Sequence, residues 1–186
     1  MSDFIFDKIG EDSNKNYLLS LWEILSSSGI CSDKKPEPNY RSSSKPGLTR
    51  TIYRFKTYTY ADLNWIHSLF YIYDHNTNKL VKVVPHNIED LLTPLALAVW
   101  FMDDGKKHGY GYSFATNSFT KTSVDFLCTV LQSKFNLTAT SNITGYYLNE
   151  PIKPQYCVYV HASSVKLFNE IVHPHIVPLM RYKLII

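Results

Sequence analysis

The chain has 186 residues, 45% of them hydrophobic, enough for one domain or for two small halves around a shared core, and too apolar to be disordered. No apolar run reaches membrane-spanning length, so no membrane partner is expected. The net charge of +3 decides little, but its distribution is uneven. Residues 1–30 carry Asp3, Asp7, Glu11, Asp12 and Glu23 against Lys8 and Lys15. Residues 31–60 carry Lys34, Lys35, Arg41, Lys45, Arg50, Arg54 and Lys56 against Asp33 and Glu37. A basic stripe on a nearly neutral protein is the footprint of a polyanion such as nucleic acid, set against the plainer alternative of a solvated charged face. Cys31, Cys128 and Cys157 are odd in number and widely spaced, and read as reduced thiols rather than as a disulfide frame or a zinc site. The acidic start is neither a secretory signal nor an Arg-rich transit peptide, so an organellar protein with this start would be made in the organelle or have lost its leader.

In chain order, Phe4-Ile-Phe is a short apolar strand candidate. Asp12 or Ser13 caps a helix with the stripe Leu18, Leu21, Trp22 and Leu25, stopped at Gly29. Residues 31–48, rich in proline and serine, read as a loop or hairpin arm. Residues 50–60 alternate: Thr51, Tyr53, Phe55 and Thr57 fall on one face, and Arg50, Ile52, Arg54 and Lys56 on the other. Residues 61–72 read as a second amphipathic helix with Leu63, Ile66, Leu69 and Phe70 inward, followed by a turn at 74–78 and an extended run at 79–85.

At the centre stands Leu92-Thr-Pro-Leu-Ala-Leu-Ala-Val-Trp-Phe-Met-Asp-Asp-Gly105. Thr93 is a ready N-cap and Pro94 suits the first helical position. The helix that follows is apolar nearly all round, hence buried on most sides, with Gly105 expected in the left-handed conformation that ends a helix. Asp103 and Asp104 place two carboxylates at the negative end of its dipole, where each is disfavoured by roughly 0.3–1 kcal/mol and calls for a cation, naturally a divalent metal. Beyond it, residues 110–119 read as a strand, Thr120 caps a helix through Phe135, residues 137–147 and 155–161 form a strand pair, and a helix begins at Ser163 or Ser164. The order of elements before the central helix recurs after it, a diverged internal duplication.

The fourteen-residue string resembles the second signature helix of LAGLIDADG homing endonucleases, in the two-motif subgroup that writes it Leu-Thr-Pro-x-x-Leu-Ala-x-Trp-Phe-Met-Asp-Asp-Gly. The resemblance runs from about residue 3 to residue 186, strongest over 80–119 and 170–184. It implies an α/β (α+β) pseudo-dimer of αββαββα halves, divided here as 1–90 and 91–186, each with a curved antiparallel sheet set over nucleic acid. A two-stranded ribbon fits the major groove, and side chains on one strand face read base edges. The groove-facing candidates are Arg50, Arg54, Lys56, Ser113, Asn117, Gln155 and Tyr159, with Lys34, Lys35, Arg41 and Lys45 contributing charge. Asp104 matches the metal-binding acid, which holds Mg2+ on the scissile phosphate in active members. Lys82 and Lys183 match the two supporting lysines, and Asn117 stands where glutamine is usual.

The family's first motif, with its own acid-terminated helix and the strand after it, has no counterpart in this sequence, so the N-terminal half is expected to be truncated. Two readings follow. The chain is a non-cleaving nucleic-acid binder, acting on organellar RNA as an intron maturase or a recruited ribonucleoprotein or ribosomal component; or it is a site-specific DNA endonuclease whose other acid comes from a partner chain or a second copy. A decayed remnant is a third. The implied compartment is an organelle, the mitochondrion first and the chloroplast second. A protein or RNA partner is expected over Leu95, Ala96, Val99 and Met102, the face that the first-motif helix covers in the family.

Overall fold

The computed structural model describes residues 5–9, 12–42, 49–76, 78–147 and 153–186. They form two compact units, residues 1–67 with 177–180 and residues 68–176 with 181–186.

In the first unit, strand β1 (Ile5–Ile9) leads into helix α1 (Asp12–Ser27), followed by β2 (Pro38–Ser42) and β3 (Thr49–Lys56). The three strands form an antiparallel sheet in the order β1-β3-β2. Leu18 of α1 is buried with Cys31 and Phe55, and Leu21, Trp22, Leu25 and Tyr53 pack around them, so the expected stripe is the face that meets the sheet. Gly29 adopts φ +70, which few side chains tolerate, and lets the Ile30 amide donate to the Leu25 carbonyl at 3.0 Å. Residues 31–48 are not simply a loop. A pairing partner in β3 turns Pro38–Ser42 into a strand despite its poor intrinsic propensity, while residues 43–48 lie outside the described set. The strand expected at residues 4–6 begins at Ile5 and runs on to Ile9.

A 3₁₀ turn (Ala61–Leu63) precedes helix α2 (Asn64–Phe70), and here the single helix expected over 61–72 breaks. Tyr71-Ile-Tyr-Asp is instead β4 (Tyr71–Asp74), paired with β5 (Lys79–Lys82) in a separate two-stranded ribbon. β-Branched and aromatic residues next to a turn-forming Asp-His-Asn favour the hairpin over two more helical residues. Ile72 consequently faces solvent.

The second unit continues with a short helix α3 (Ile88–Leu91), helix α4 (Pro94–Asp104), β6 (Gly105–His108), β7 (Gly111–Phe114), α5 (Lys121–Phe135), β8 (Ala139–Tyr147), β9 (Lys153–Val160), a 3₁₀ turn (Ala162–Ser164) and α6 (Val165–Val172). The strands make one antiparallel sheet, β6-β7-β9-β8. From α4 to α6 the order is αββαββα, the order implied for a complete half.

The duplication is visible in topology. Strand, helix, two strands, 3₁₀ turn and helix occur as β1-α1-β2-β3-α2 and again as β7-α5-β8-β9-α6. The sheet orders β1-β3-β2 and β7-β9-β8 correspond strand for strand, with β6 added outside β7 in the second. Among the described residues the first half is thus a βαββα unit, without the leading helix and strand of the second.

α4 forms for the reasons its sequence announces. Thr93 accepts a hydrogen bond from the Ala96 amide at 3.1 Å, and Pro94 occupies the first turn. Leu97, Ala98, Phe101 and Met102 are buried. Phe101 sits among the rings of Tyr112, Phe114 and Phe168 with centroids 4.9, 5.6 and 5.0 Å away, and Trp100 stacks against Phe114 at 4.3 Å. Met102 is 3% exposed, so it belongs to this core and not to the face expected to need a partner. Leu95 is the clearly open member of that face, at 53%, while Ala96 and Val99 are half-buried. Gly105 is also corrected. It is extended, at φ −86 and ψ 149, and glycine is required there by space, because a Cβ would strike the Phe101 ring and carbonyl.

Candidate functional site

The α4 C-terminus gathers the first group of candidates. Lys183, in a 3₁₀ segment (Pro178–Lys183), donates from Nζ to the Met102 carbonyl oxygen at 2.6 Å. This seats a cation on the negative end of the helix, where it offsets the end dipole and lies one residue from the Asp103-Asp104 pair. The Asp104 carbonyl accepts from the Ala115 amide at 3.0 Å, pinning the helix end to the chain leaving β7. Asp104 is exposed and Asp103 half-buried. Lys82, the last residue of β5, holds its ammonium 5.0 Å from the centre of the Phe119 ring, a cation–π contact. Phe119 closes the loop that also carries Asn117.

The second group lies on the sheet of the second unit. Tyr112, Phe114, Val158 and Val160 are buried, and the two aromatic rings meet those of α4 and α6, so alternation puts their neighbours on the opposite face, where Ser113 and Cys157 are themselves buried and Lys106 and Thr140 are exposed. The register aligns Lys106, Ser113, Tyr159 and Thr140 in one row across that face. The Tyr159 ring lies between His108 and His161, with centroids 5.6 and 5.3 Å away. His161 Nε2 and Thr140 Oγ1 are 3.0 Å apart. At the end of the sheet Asn117 donates from Nδ2 to Gln155 Oε1 at 2.6 Å, while the Thr116 hydroxyl donates to the Tyr156 carbonyl at 2.9 Å. Asn117 and Gln155, expected to act as separate base readers, are therefore one coupled amide pair.

Ser113 is corrected as a groove reader. It is 2% exposed, because β7 is an interior strand and the longer Lys106 and Tyr159 flank it in its row. Conversely, sequence reasoning does not find Lys106, His108, Thr140 and His161. His161 shares the parity of Tyr159, so the alternation holds a signal for it; Gly-Lys-Lys-His has no strand pattern of its own and gives none for β6.

Of the basic stripe, Arg54 and Lys56 are exposed on the β3 face opposite buried Phe55. Lys34 and Lys35 are exposed, and Lys34 lies 3.7 Å from Glu37 with both side chains about three-quarters exposed (77% and 75%), a pairing worth little in water. Arg41 and Arg50 are described in backbone only, directly opposite each other across β2 and β3. Lys45 lies outside the described residues.

Among the described residues no three or more His, Cys, Asp or Glu side chains cluster as a metal cage. Mg2+ is commonly held by one or two carboxylates with water and substrate phosphates completing its shell. The exposed carboxylate of Asp104, with half-buried Asp103 beside it, fits an ion shared with a phosphate. The thiols of Cys31, Cys128 and Cys157 are free and buried. Burial first, then the nearby Asp125 charge, pushes Cys128 up to about 11, and burial likewise raises Cys157; both remain protonated, weakly reactive thiols.

Three similarities bear on this geometry. The chain is 38% identical over 174 residues to the cytochrome b mRNA maturase bI2 of Saccharomyces cerevisiae, covering 94% of this chain and 40% of that protein. It is 32% identical over 168 residues to the intron-encoded endonuclease ai4 of Dictyostelium discoideum, covering 88% of this chain and 98% of that protein. Its fold matches the homing endonuclease I-WcaI, solved bound to its DNA recognition sequence, with a TM-score of 0.76 at 24% identity, over 98% of this chain and 75% of that one. The chain thus spans well under half the length of the yeast maturase. The sequence profile described as the LAGLIDADG DNA endonuclease family matches residues 2–168, and the chain belongs to that family.

Proposed function

We propose that this chain is a maturase-like derivative of a homing endonuclease that binds intron-containing RNA in an organelle, the mitochondrion first, through the open sheet face of its second unit and the cationic face of β3. The observation that carries the reading is the row formed by Lys106, Tyr159 and Thr140, with His108 and His161 beside it: polar, cationic and aromatic groups on a strand face, backed by a packed aromatic core. Such a face suits phosphate contacts from the lysine and stacking or edge contacts from the rings. The likeness to a maturase supports RNA over DNA. The repeated element order supports treating residues 1–90 and 91–186 as the two halves of a duplicated unit, and exposed Leu95 supports a macromolecular cover on that side of α4.

A second reading keeps DNA cleavage, with the other acid supplied from outside these residues by a partner chain or a second copy. It is favoured by the retained Asp104 and by Lys183 seated at the end of the same helix. Asp104 would hold Mg2+, with Lys82 and Lys183 supplying positive charge near the phosphate and Asn117, fixed by Gln155, orienting the backbone. The ion, when bound, would polarise the phosphate and stabilise the leaving oxygen.

Competition binding decides between them. Unlabelled intron RNA is expected to displace a labelled RNA probe from the pure chain at concentrations where duplex DNA does not. Displacement by duplex DNA at lower concentrations than unlabelled RNA requires would overturn the maturase-like reading in favour of the endonuclease.

A further inference from the structure

We infer that the β4–β5 ribbon is a stacking platform for unpaired nucleotides. The inference rests on the reading of the chain as a nucleic-acid binder and deepens it by naming the form of substrate. Tyr71 pairs with Lys82, Ile72 with Val81, Tyr73 with Leu80 and Asp74 with Lys79. Alternation therefore puts Tyr71, Tyr73, Leu80 and Lys82 on one face, and Ile72, Val81, Asp74 and Lys79 on the other. Tyr73 and Leu80 are 49% and 57% exposed, and Ile72 is 52% exposed on the opposite side. A two-stranded ribbon that shows large apolar side chains on both faces is built to be covered.

Its conformation is set locally. The Asn76 amide donates to the Asp74 carboxylate at 2.9 Å, Asn78 takes φ +50, and the Tyr73 hydroxyl donates to Asn78 Oδ1 at 3.3 Å. The His75 ring meets the Tyr73 ring nearly at right angles, 5.0 Å between centroids, and fixes its plane. Tyr71 and Tyr73 stand about 7 Å apart along the strand, a spacing that admits one base between two rings. Lys82 continues the same face, its ammonium over Phe119, so a strand stacked along the tyrosines is led to that lysine.

Charge selects the occupant. On the tyrosine face Lys82 is the ribbon's one charge, while Lys79 and Asp74 pair across the strands on the other face. A second copy laid tyrosine face to tyrosine face would bring Lys82 against Lys82, whereas a polyanion with exposed π faces neutralises that lysine and stacks on the rings beside it.

The test is fluorescence anisotropy with a labelled single-stranded RNA, the single-stranded DNA of the same sequence, and the corresponding duplex. Tyr71→Ala and Tyr73→Ala are each expected to weaken single-strand binding about 5- to 150-fold, to leave duplex binding within about twofold, and to be rescued by the phenylalanine variants. Loss on both single strands, or on the RNA alone, supports the platform and identifies its source. No loss, or an equal loss on the duplex, overturns it. So does sedimentation that shows a dimer converted to monomer by the alanine variants, which would make a second copy the occupant. A wild-type chain that binds none of the three overturns the binding function itself.

Discussion

Phe101→Ala is expected to lower the stability of the second unit by about 3–5 kcal/mol, the range for emptying a large aromatic site in a packed core. The ring is fully buried and touches Tyr112, Phe114 and Phe168, and the edge of the same ring closes the space over Gly105. Its removal strips packing from both the helix and the sheet. Because a typical domain holds only about 5–15 kcal/mol in total, the variant should unfold at a much lower urea concentration. Leu95→Ala, on the open side of the same helix, should change stability by about 0.5 kcal/mol or less. A Phe101→Ala loss under about 1 kcal/mol would mean that α4 is not packed on the sheet through this ring.

The second large effect is catalytic and all-or-none. The pure 186-residue chain in Mg2+ is expected to make no double-strand breaks, because in-line displacement on both strands by this family's clamp needs an acid from each of two helices. This chain offers Asp104 at the end of one. Asp104→Asn should accordingly leave nucleic-acid affinity within about twofold and change no cleavage signal. Site-selective, Mg2+-dependent cleavage by the pure chain, abolished in Asp104→Asn, would contradict this and show the second reading to operate through a second copy.

What the sequence made legible was what local chemistry decides. Thr93, Pro94 and the apolar run after them define α4 without help from elsewhere. The alternation in residues 50–60 gives β3 and its two faces, and the stripe of α1 gives its buried side. The elements that escaped depend on partners distant in the chain. Pro38–Ser42 becomes a strand only because β3 pairs with it, and Gly105-Lys-Lys-His becomes β6 only against β7. Ser113 reads as an exposed polar strand residue until its place between Lys106 and Tyr159 is known. Asn117 and Gln155 lie 38 positions apart, and no spacing rule joins them. The resemblance names Asp104, Lys82 and Lys183 as candidates, but the seat of Lys183 on the Met102 carbonyl was not legible, because it depends on where the C-terminal 3₁₀ segment docks.

The proposed grip on nucleic acid uses the cationic face of β3 and the sheet face of the second unit that carries Lys106 and Tyr159. Its most direct test is the salt dependence of binding to structured intron RNA, wild type against a variant with Arg54, Lys56 and Lys106 changed to glutamine. Every cation–phosphate pairing removed should flatten the log–log slope by about 0.7–0.9. The triple variant is therefore expected to show a slope shallower by about 2–3 while keeping its fold by circular dichroism. A slope unchanged from wild type would contradict this grip and leave these side chains as an ordinary solvated surface.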